Sequence, residues 1–153
     1  MKIVAYRISK RRFAGTIWSG AGAKQGGGRW NSKGVAVVYA SESRALAAME
    51  QLVHLLPPRI LAGFVISNVG FDEKQLERVN VRALPTGWDR KTPLATLRKI
   101  GDDFVKRGES VALAVPSAVV RGEWNYLFNP AHEEFESLIK SRPVAFVYDK
   151  RLS

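Results

Sequence analysis

The chain has no cysteine, and only two of its 153 residues are histidines. Without cysteine, disulfides and thiolate metal sites are excluded. No apolar run approaches the ~20 residues that a bilayer-spanning helix needs, and no long apolar segment of the kind found in secretory signals follows the N-terminus. These absences predict a cytoplasmic protein that does not bind membranes. For His54 and His132, a structural or surface role is favoured over a metal site, because no supporting ligand spacing surrounds them.

Acidic residues are also scarce, since 14 Asp and Glu stand against 24 Lys and Arg and leave a formal net charge of +10. Such an excess favours an anionic partner: nucleic acid, a phosphorylated small molecule or an acidic protein. The charge alone does not choose among them. The basic residues are scattered, with one short run at Lys10-Arg11-Arg12, whereas a clustered basic helix would favour nucleic acid.

Several nucleotide-binding and hydrolase motifs are missing. Gly20-Ala21-Gly22 begins like a dinucleotide fingerprint, but Gln25 stands where the third glycine should fall, and no strand–turn–helix unit surrounds it. The sequence contains neither a G-x-x-x-x-G-K-[ST] phosphate loop nor a G-x-S-x-G nucleophile elbow. An ordinary Rossmann, P-loop or α/β-hydrolase site is therefore excluded.

The length suits one domain, residues 1–153, and 46% hydrophobic residues can form a substantial core. Periodicity and breakers predict strands over residues 2–8, 35–40, 59–69, 111–115 and 143–148, with 119–120 as a possible extension of the fourth. They predict helices over residues 41–56, 72–78, 94–107 and 133–139. Strands and helices intermix without a βαβ rhythm, which predicts an α+β fold with a mixed sheet and flanking helices.

The helix after the second strand is amphipathic. Ser41 and Ser43 are both plausible N-caps, and Pro57-Pro58 ends the helical pattern. One half of the helical wheel holds Met49, Leu52, Val53 and Leu56 among other apolar residues, and Glu50 lies near the boundary between the halves. A boundary carboxylate faces either solvent or the rim of a cleft.

The segment Gly26-Gly27-Gly28-Arg29-Trp30-Asn31 is the most informative part of the sequence. Glycine tolerates backbone angles closed to other residues and lets a ligand approach the main chain. Arginine presents a planar fork of donors that suits phosphate or carboxylate. The segment therefore predicts an anion-binding loop, with a plain glycine turn beside a surface arginine as the simpler alternative.

Further residues of chemical use follow in order along the chain, and together they resemble the RES domain family, named for its arginine, glutamate and serine. The resemblance covers most of the chain and is weak from about residue 71 to 109, where Phe104 replaces an expected tryptophan. It rests on Tyr6-Arg7, Gly20, Gly22-Ala23, Gly27-Gly28-Arg29-Trp30-Asn31, Gly34, Tyr39-Ala40-Ser41, Glu50, Leu52-Val53-His54, Pro116-Ser117, Asn125-Tyr126-Leu127, Asn129-Pro130 and His132.

The resemblance implies a fold similar to ADP-ribosyltransferase toxins and an enzyme that attacks NAD⁺. NAD⁺ would be the substrate, with no other cofactor bound. The nicotinamide–ribose bond would break by hydrolysis, by phosphorolysis or by transfer of ADP-ribose to a protein target, and the sequence leaves these three open. The implied partner is a helix-turn-helix (Xre-like) antitoxin in a hetero-oligomer, and nucleic acid would be reached only through that antitoxin.

The resemblance also implies roles for six residues. Arg29 would hold the pyrophosphate, Glu50 would stabilise the oxocarbenium-like state of glycosidic cleavage, and the Tyr39 ring would stack on nicotinamide. The first two would be catalytic together with Ser117, and the binding residues would be Arg7, Arg29, Tyr39 and Asn125. Each has a simpler alternative, such as a core aromatic for Tyr39 or a solvated helix residue for Glu50.

Two other classes of function stay open. The net charge of +10 also suits a basic nucleic-acid-binding module or an RNA-directed toxin, for which log K would fall by ~0.7–0.9 per neutralised phosphate as log salt rises. An inactive domain that only binds an acidic antitoxin is a third possibility.

Overall fold

Eight strands form one mixed sheet in the computed structural model, which describes residues 1–153. They are β1 (Lys2–Lys10), β2 (Val38–Ser41), β3 (Phe64–Asp72), β4 (Leu76–Arg78), β5 (Ala112–Pro116), β6 (Trp124–Phe128), β7 (Ile139–Lys140) and β8 (Val144–Phe146). The order is β4-β5-β6-β2-β1-β3-β7, and β8 pairs with the other end of β3. Only β4 and β5 pair in parallel. The predicted α+β class with a mixed sheet is confirmed.

Three α-helices flank the sheet: α1 (Ala21–Gly26), α2 (Arg44–Leu52) and α3 (Ala95–Arg107). Ser43 is the N-cap of α2, because its Oγ accepts a hydrogen bond from the Leu46 amide at 3.0 Å. Helix α3 ends as predicted at Gly108, whose φ of 61° is one that glycine adopts without strain. None of the helices combines the length and apolar character that crossing a bilayer requires.

Both faces of the sheet are covered, as the fully buried strand β5 illustrates. Ala112 and Ala114 belong to one core cluster, while Leu113 and Val115 pack on the other face with Phe104 of α3. This alternation is the period of two that a strand imposes on its side chains. Phe104 is fully buried, as expected of the aromatic that stands where the family resemblance suggested tryptophan.

The helix predicted over residues 72–78 is wrong. A short 3₁₀ helix occupies Glu73–Gln75, capped by Asp72, and the chain then continues as β4. Leu76 to Arg78 pair with Ala112 to Ala114 of β5, some 36 residues further along the sequence. The pairing partner is distant in sequence, so local helix propensity gave the wrong element.

The helix predicted over residues 133–139 is also wrong. The segment turns through hydrogen bonds from Phe135 to His132 and from Leu138 to Phe135, and then enters β7. Phe135 and Leu138 are both buried, so the i, i+3 apolar spacing reflects two successive turns packed on the core. Val119 and Val120 do not extend β5, because the chain bends directly after Pro116.

The strand β6 was absent from the prediction, although it lies between β5 and β2 near the middle of the sheet. Its residues Trp124–Phe128 were interpreted only as part of a motif. Two predicted strands also begin later than expected: β2 starts at Val38 instead of 35, and β3 starts at Phe64, after Gly63 with a φ of 82°.

Helix α2 ends at Leu52, four residues earlier than predicted. Of the residues assigned to its apolar half, Met49, Val53 and Leu56 are 41%, 49% and 84% exposed. Ala47, assigned to the polar half, is buried. The early end of the helix leaves Val53 and Leu56 outside it, and the buried face is narrower than the wheel suggested.

Candidate active site

The glycine–arginine loop, residues 26–35, is a tight turn that depends on two glycines. Gly27 has a φ of 70°, and the Gly28 amide donates to the Asn31 carbonyl at 3.0 Å. A Cβ on Gly28 would lie 2.7 Å from the Tyr39 hydroxyl and 2.9 Å from Asn31 Oδ1. Glycine is therefore required here by close approach of side chains to the main chain.

The fully buried Asn31 organises this loop. Its Nδ2 donates to the carbonyls of Ala23 at 2.9 Å and Val35 at 3.0 Å, and Oδ1 accepts from the Tyr39 hydroxyl at 2.6 Å. The Tyr39 oxygen in turn accepts from the Trp30 amide at 3.1 Å. Buried polar groups are rarely left unpaired, and here their partners hold the backbone on both sides of Arg29.

Helix α3 holds the loop from the other side. The amide and hydroxyl of Ser32 donate to the Asp102 carboxylate at 2.9 and 2.6 Å. Next to it, a Cβ on Gly101 would lie 1.6 Å from the Trp30 carbonyl oxygen. Only glycine allows the loop to approach the helix this closely, so the loop is a rigid support for Arg29.

Arg29 is half-buried, and its Nη1 donates to the Trp88 carbonyl at 2.9 Å. Nε and Nη2 have no protein hydrogen-bond partner, so part of the donor fork is available to a ligand. Desolvation lowers the pKa of Arg29, and the strongest opposing influence is Glu50, followed by Asp89. Glu50 is therefore close enough to act on the charge of Arg29, although the two residues come from separate elements.

One oxygen of the Glu50 carboxylate is fixed by two hydrogen bonds. Oε1 accepts from Ser117 Oγ and from Asn125 Nδ2, both at 2.7 Å. Oε2 accepts none, yet it is not among the buried unpaired atoms. The carboxylate is thus oriented through one oxygen and leaves the other exposed to a ligand.

Ser117 has little freedom left for a ligand. Its Oγ donates to Glu50 and accepts from the amides of Val119 at 3.1 Å and Val120 at 2.9 Å, and the residue is 0% exposed. The two amides polarise the hydroxyl, which strengthens its hydrogen bond to the carboxylate. The contacts make Ser117 a residue that positions Glu50.

Arg7 and Tyr39 are joined through the backbone. Arg7 donates to the Ile17 carbonyl through Nε at 2.6 Å and to the Tyr39 carbonyl through Nη1 at 3.0 Å. Burial lowers the pKa of Arg7 to about 10. Burial also raises the pKa of Tyr39, with the Trp30 amide opposing, so its hydroxyl remains a proton donor to Asn31.

The residues predicted for the site form two hydrogen-bonded groups, Glu50 with Ser117 and Asn125, and Arg7 with Tyr39. Arg29 lies near Glu50 and Tyr39 and donates to the Trp88 carbonyl. Their roles toward a ligand remain predictions. The structure adds contacts that the sequence prediction did not assign, namely those of Asn31, Ser41, Trp88, Gly101 and Asp102. Asn31 and Ser41 lay inside the quoted motifs, whereas nothing local in the sequence marks Trp88 or Asp102.

The fold and site define an α+β protein that combines a half-buried arginine on a glycine loop with a nearby carboxylate held by serine and asparagine. The chain belongs to the RES domain family, whose model matches residues 4–149. The family resemblance inferred from the motifs is thereby confirmed.

Curated relatives span nearly the whole chain. Toxin Res of Yersinia enterocolitica is 35% identical over 151 residues, covering 98% of this chain and 99% of that protein. The Prs ADP-ribosylating toxin of a Sphingobium species is 38% identical over 138 residues, covering 88% and 85%. A chain in the crystal structure of the M. tuberculosis MbcT–MbcA toxin–antitoxin complex shares the fold, with a TM-score of 0.72 at 13% identity, over 96% of this chain and 85% of that one.

Proposed function

We propose that the chain is a cytoplasmic toxin that consumes NAD⁺ by breaking its nicotinamide–ribose bond. The observation that carries the proposal is the Glu50 carboxylate, held through Oε1 by Ser117 and Asn125, with Oε2 exposed and Arg29 close by. An anion-binding arginine beside an oriented carboxylate suits a substrate that carries a pyrophosphate and develops positive charge on a ribose.

Arg29 would bind the pyrophosphate through the part of its donor fork that the protein leaves unpaired. As the bond between the ribose carbon and the nicotinamide nitrogen lengthens, the electron pair leaves with nicotinamide and the ribose becomes oxocarbenium-like. Glu50 Oε2 would stabilise that cation or accept a hydrogen bond from a ribose hydroxyl. Tyr39 would offer a ring face to nicotinamide, worth ~0.5–1.5 kcal/mol beyond area burial.

The nucleophile that completes the reaction can be water, inorganic phosphate or a protein side chain. Each would bond to the same ribose carbon, giving ADP-ribose, ADP-ribose-1″-phosphate or a modified protein. The name of the Sphingobium relative supports the third product, because that protein is called an ADP-ribosylating toxin.

The names of the relatives support an antitoxin partner as well. Three of them are called Toxin Res, and the structural neighbour comes from a toxin–antitoxin complex. We propose a helix-turn-helix antitoxin that forms a hetero-oligomer with this chain, and the net charge of +10 suits an acidic surface on that partner.

Product identification tests the proposal. Purified protein is incubated with NAD⁺, with and without phosphate, and the products are identified by mass. We expect nicotinamide release and one of the three ADP-ribose products. Glu50→Gln preserves the shape of the side chain and should lower the rate by ~10²–10³, and Arg29→Ala should also abolish activity with the fold retained.

Glu73→Gln is the matched control, because Glu73 is an exposed carboxylate on a 3₁₀ helix. Its activity should equal that of the unmodified protein. Full activity of a folded Glu50→Gln variant would refute the assigned roles, and failure of the unmodified protein to release nicotinamide would refute the function itself.

A further inference from the structure

A cavity of about 440 Å³ lies beyond the end of α2. Its apolar lining includes Leu55, Leu56, Ile60 and the buried Phe64 at the start of β3. Leu56 and Ile60 are 84% and 75% exposed, which is unusual for large aliphatic side chains gathered around one concavity. Contiguous exposed apolar surface of this kind marks an interaction site more often than isolated exposed residues do.

Three basic residues line the same cavity: Lys10, Arg11 and Arg12, the one basic run of the sequence. None of them forms a salt bridge within the chain, whereas Arg107, Arg121 and Arg151 elsewhere each pair with a carboxylate. Their charge is therefore uncompensated beside an apolar surface. We call this feature the basic-rimmed groove: residues 10–12 with Leu55, Leu56, Ile60 and Phe64.

We infer that the basic-rimmed groove docks a segment of a protein partner that carries acidic and apolar side chains, and that this partner is the antitoxin. The inference rests on the proposed function for the identity of the partner. The uncompensated positive charge provides the complementarity to carboxylates, and the aliphatic lining provides pockets for apolar anchors.

The lining favours a peptide over the other anionic macromolecules. Nucleic acid is held by phosphate contacts together with stacking on aromatic rings, whereas the exposed apolar side chains that line this groove, Leu56 and Ile60, are aliphatic. A membrane surface would be met by a convex amphipathic face, whereas this surface is concave.

The position of the groove connects it with the candidate active site. Helix α2 carries Glu50 and ends at Leu52, three residues before Leu55. Met49 near the end of α2 and Val53 directly after it are 41% and 49% exposed, so further apolar side chains lie between Glu50 and the groove along the chain. A partner seated in the groove would therefore lie against the segment that directly follows Glu50, without having to occupy the site.

Affinity measurements on the full-length chain test the inference, with the purified helix-turn-helix antitoxin of the proposed function as the probe. Two double variants alter the groove: Leu56→Ser with Ile60→Ser, and Arg11→Glu with Arg12→Glu. Both pairs are exposed at the surface, so the fold should persist. We expect each to weaken antitoxin binding by about tenfold or more, since apolar anchors and complementary charge carry such interfaces. NAD⁺ cleavage by the free variants should be unchanged.

Ile139→Ser and Lys91→Glu are single-substitution controls of the same chemical kinds, because Ile139 is a 75% exposed aliphatic residue on β7 and Lys91 is an exposed cation in another loop. Both should bind the antitoxin normally.

Unchanged binding by both groove variants would overturn the inference and leave the proposed function intact. If the unmodified chain fails to bind the antitoxin, the proposed partner and the groove assignment fall together. Loss of binding to an RNA oligonucleotide or to phosphatidylglycerol vesicles, with antitoxin binding retained, would assign the groove to that ligand instead.

Discussion

Ser41 and Asn125 lie directly opposite each other on β2 and β6, and Ser41 Oγ donates to Asn125 Oδ1 at 2.7 Å. Because this contact engages the carbonyl oxygen of the amide, it directs Nδ2 toward Glu50. If the amide were reversed, an oxygen would face the carboxylate and repel it. Ser41 therefore positions the carboxylate through Asn125, a role that the sequence prediction did not assign to this serine.

The Ser41→Ala variant should lower the rate of NAD⁺ cleavage by about tenfold and leave KM nearly unchanged, because it loosens Asn125 without touching the arginine loop. Ser43→Ala is the control two residues away, since Ser43 caps α2. Loss of that cap should cost ~0.5–2 kcal/mol of stability and leave the rate unaltered. Steady-state kinetics and urea unfolding measure the two effects. An unchanged rate in Ser41→Ala would contradict the positioning role.

Gly101→Ala should destabilise the protein severely, because the new methyl group would meet the Trp30 carbonyl 1.6 Å away. Either the loop or α3 must move, and overpacking of this kind costs ~1–3 kcal/mol or more. Gly22→Ala in α1 is the matched helical control, since a Cβ there meets nothing within 4 Å. That change should raise stability by ~0.4–1 kcal/mol. Thermal unfolding compares the two, and equal stabilities would contradict the proposed close approach.

Gly28→Ala and Tyr39→Phe should be energetically coupled. The first places a methyl group 2.7 Å from the Tyr39 hydroxyl, and the second removes that hydroxyl. Tyr39→Phe alone leaves the Trp30 amide and Asn31 Oδ1 without this partner, at a cost of ~1–3 kcal/mol. In the double variant the clash with the Tyr39 oxygen is gone, while the approach to Asn31 Oδ1 at 2.9 Å remains, so the total loss should fall below the sum of the single losses. Strict additivity in a double-mutant cycle from urea unfolding would refute this contact.

Stability should fall as the pH rises above 10. Burial raises the pKa of Tyr39 and of Tyr126, and it raises that of Tyr148 to about 12, whereas the ordinary value is 10. As the pH rises through 10, these tyrosines lose their protons in the unfolded chain before they lose them in the folded protein. The stabilisation that they contribute below pH 10 is therefore lost above it. The pKa of Arg7 is lowered to about 10, so this group alone makes stability rise with pH in the same range. The three tyrosines outnumber it, and the net stability should fall.

Urea unfolding between pH 8 and 11, with tyrosinate absorbance recorded in parallel, measures this dependence. Tyr148→Phe should reduce the decline, because it removes one of the three groups. It also removes the hydrogen bond to the Ala48 carbonyl, so its stability at pH 8 is the reference for the comparison. A free energy of unfolding that stays constant to pH 11 would contradict the prediction.

Local signals predicted those parts of the fold that local chemistry determines. The apolar pattern and Gly108 placed α3 to within a residue, and the alternation of β1 was visible in the sequence. Strand β6 pairs with β5, which ends eight residues before it, and was missed because its residues were interpreted only as part of a motif. Strand β4 was missed because it pairs with β5, some 36 residues further along the chain. Pairing partners at such separations leave no local signature in a single sequence.

The candidate site likewise contains residues that the local sequence marks and residues that only the fold brings near. The residues on the glycine–arginine loop and at Glu50 stood out because their chemistry is uncommon. The Trp88 carbonyl could not be predicted, since every residue has one, and its place beside Arg29 depends on a contact across 59 residues of sequence. Asp102 looked like one more charged residue on the surface of α3.

Strand β6 lies between β5 and β2, and the contacts that complete the site span long stretches of sequence. Arg29 and Trp88 are 59 residues apart, and Glu50 and Asn125 are 75 apart. A nascent chain that has left the ribosome only as far as α3 contains Arg29 and Glu50 but lacks both side chains that orient the carboxylate. The site is therefore completed only when translation is almost finished. A partner that binds the nascent chain can be present before the chain has any activity.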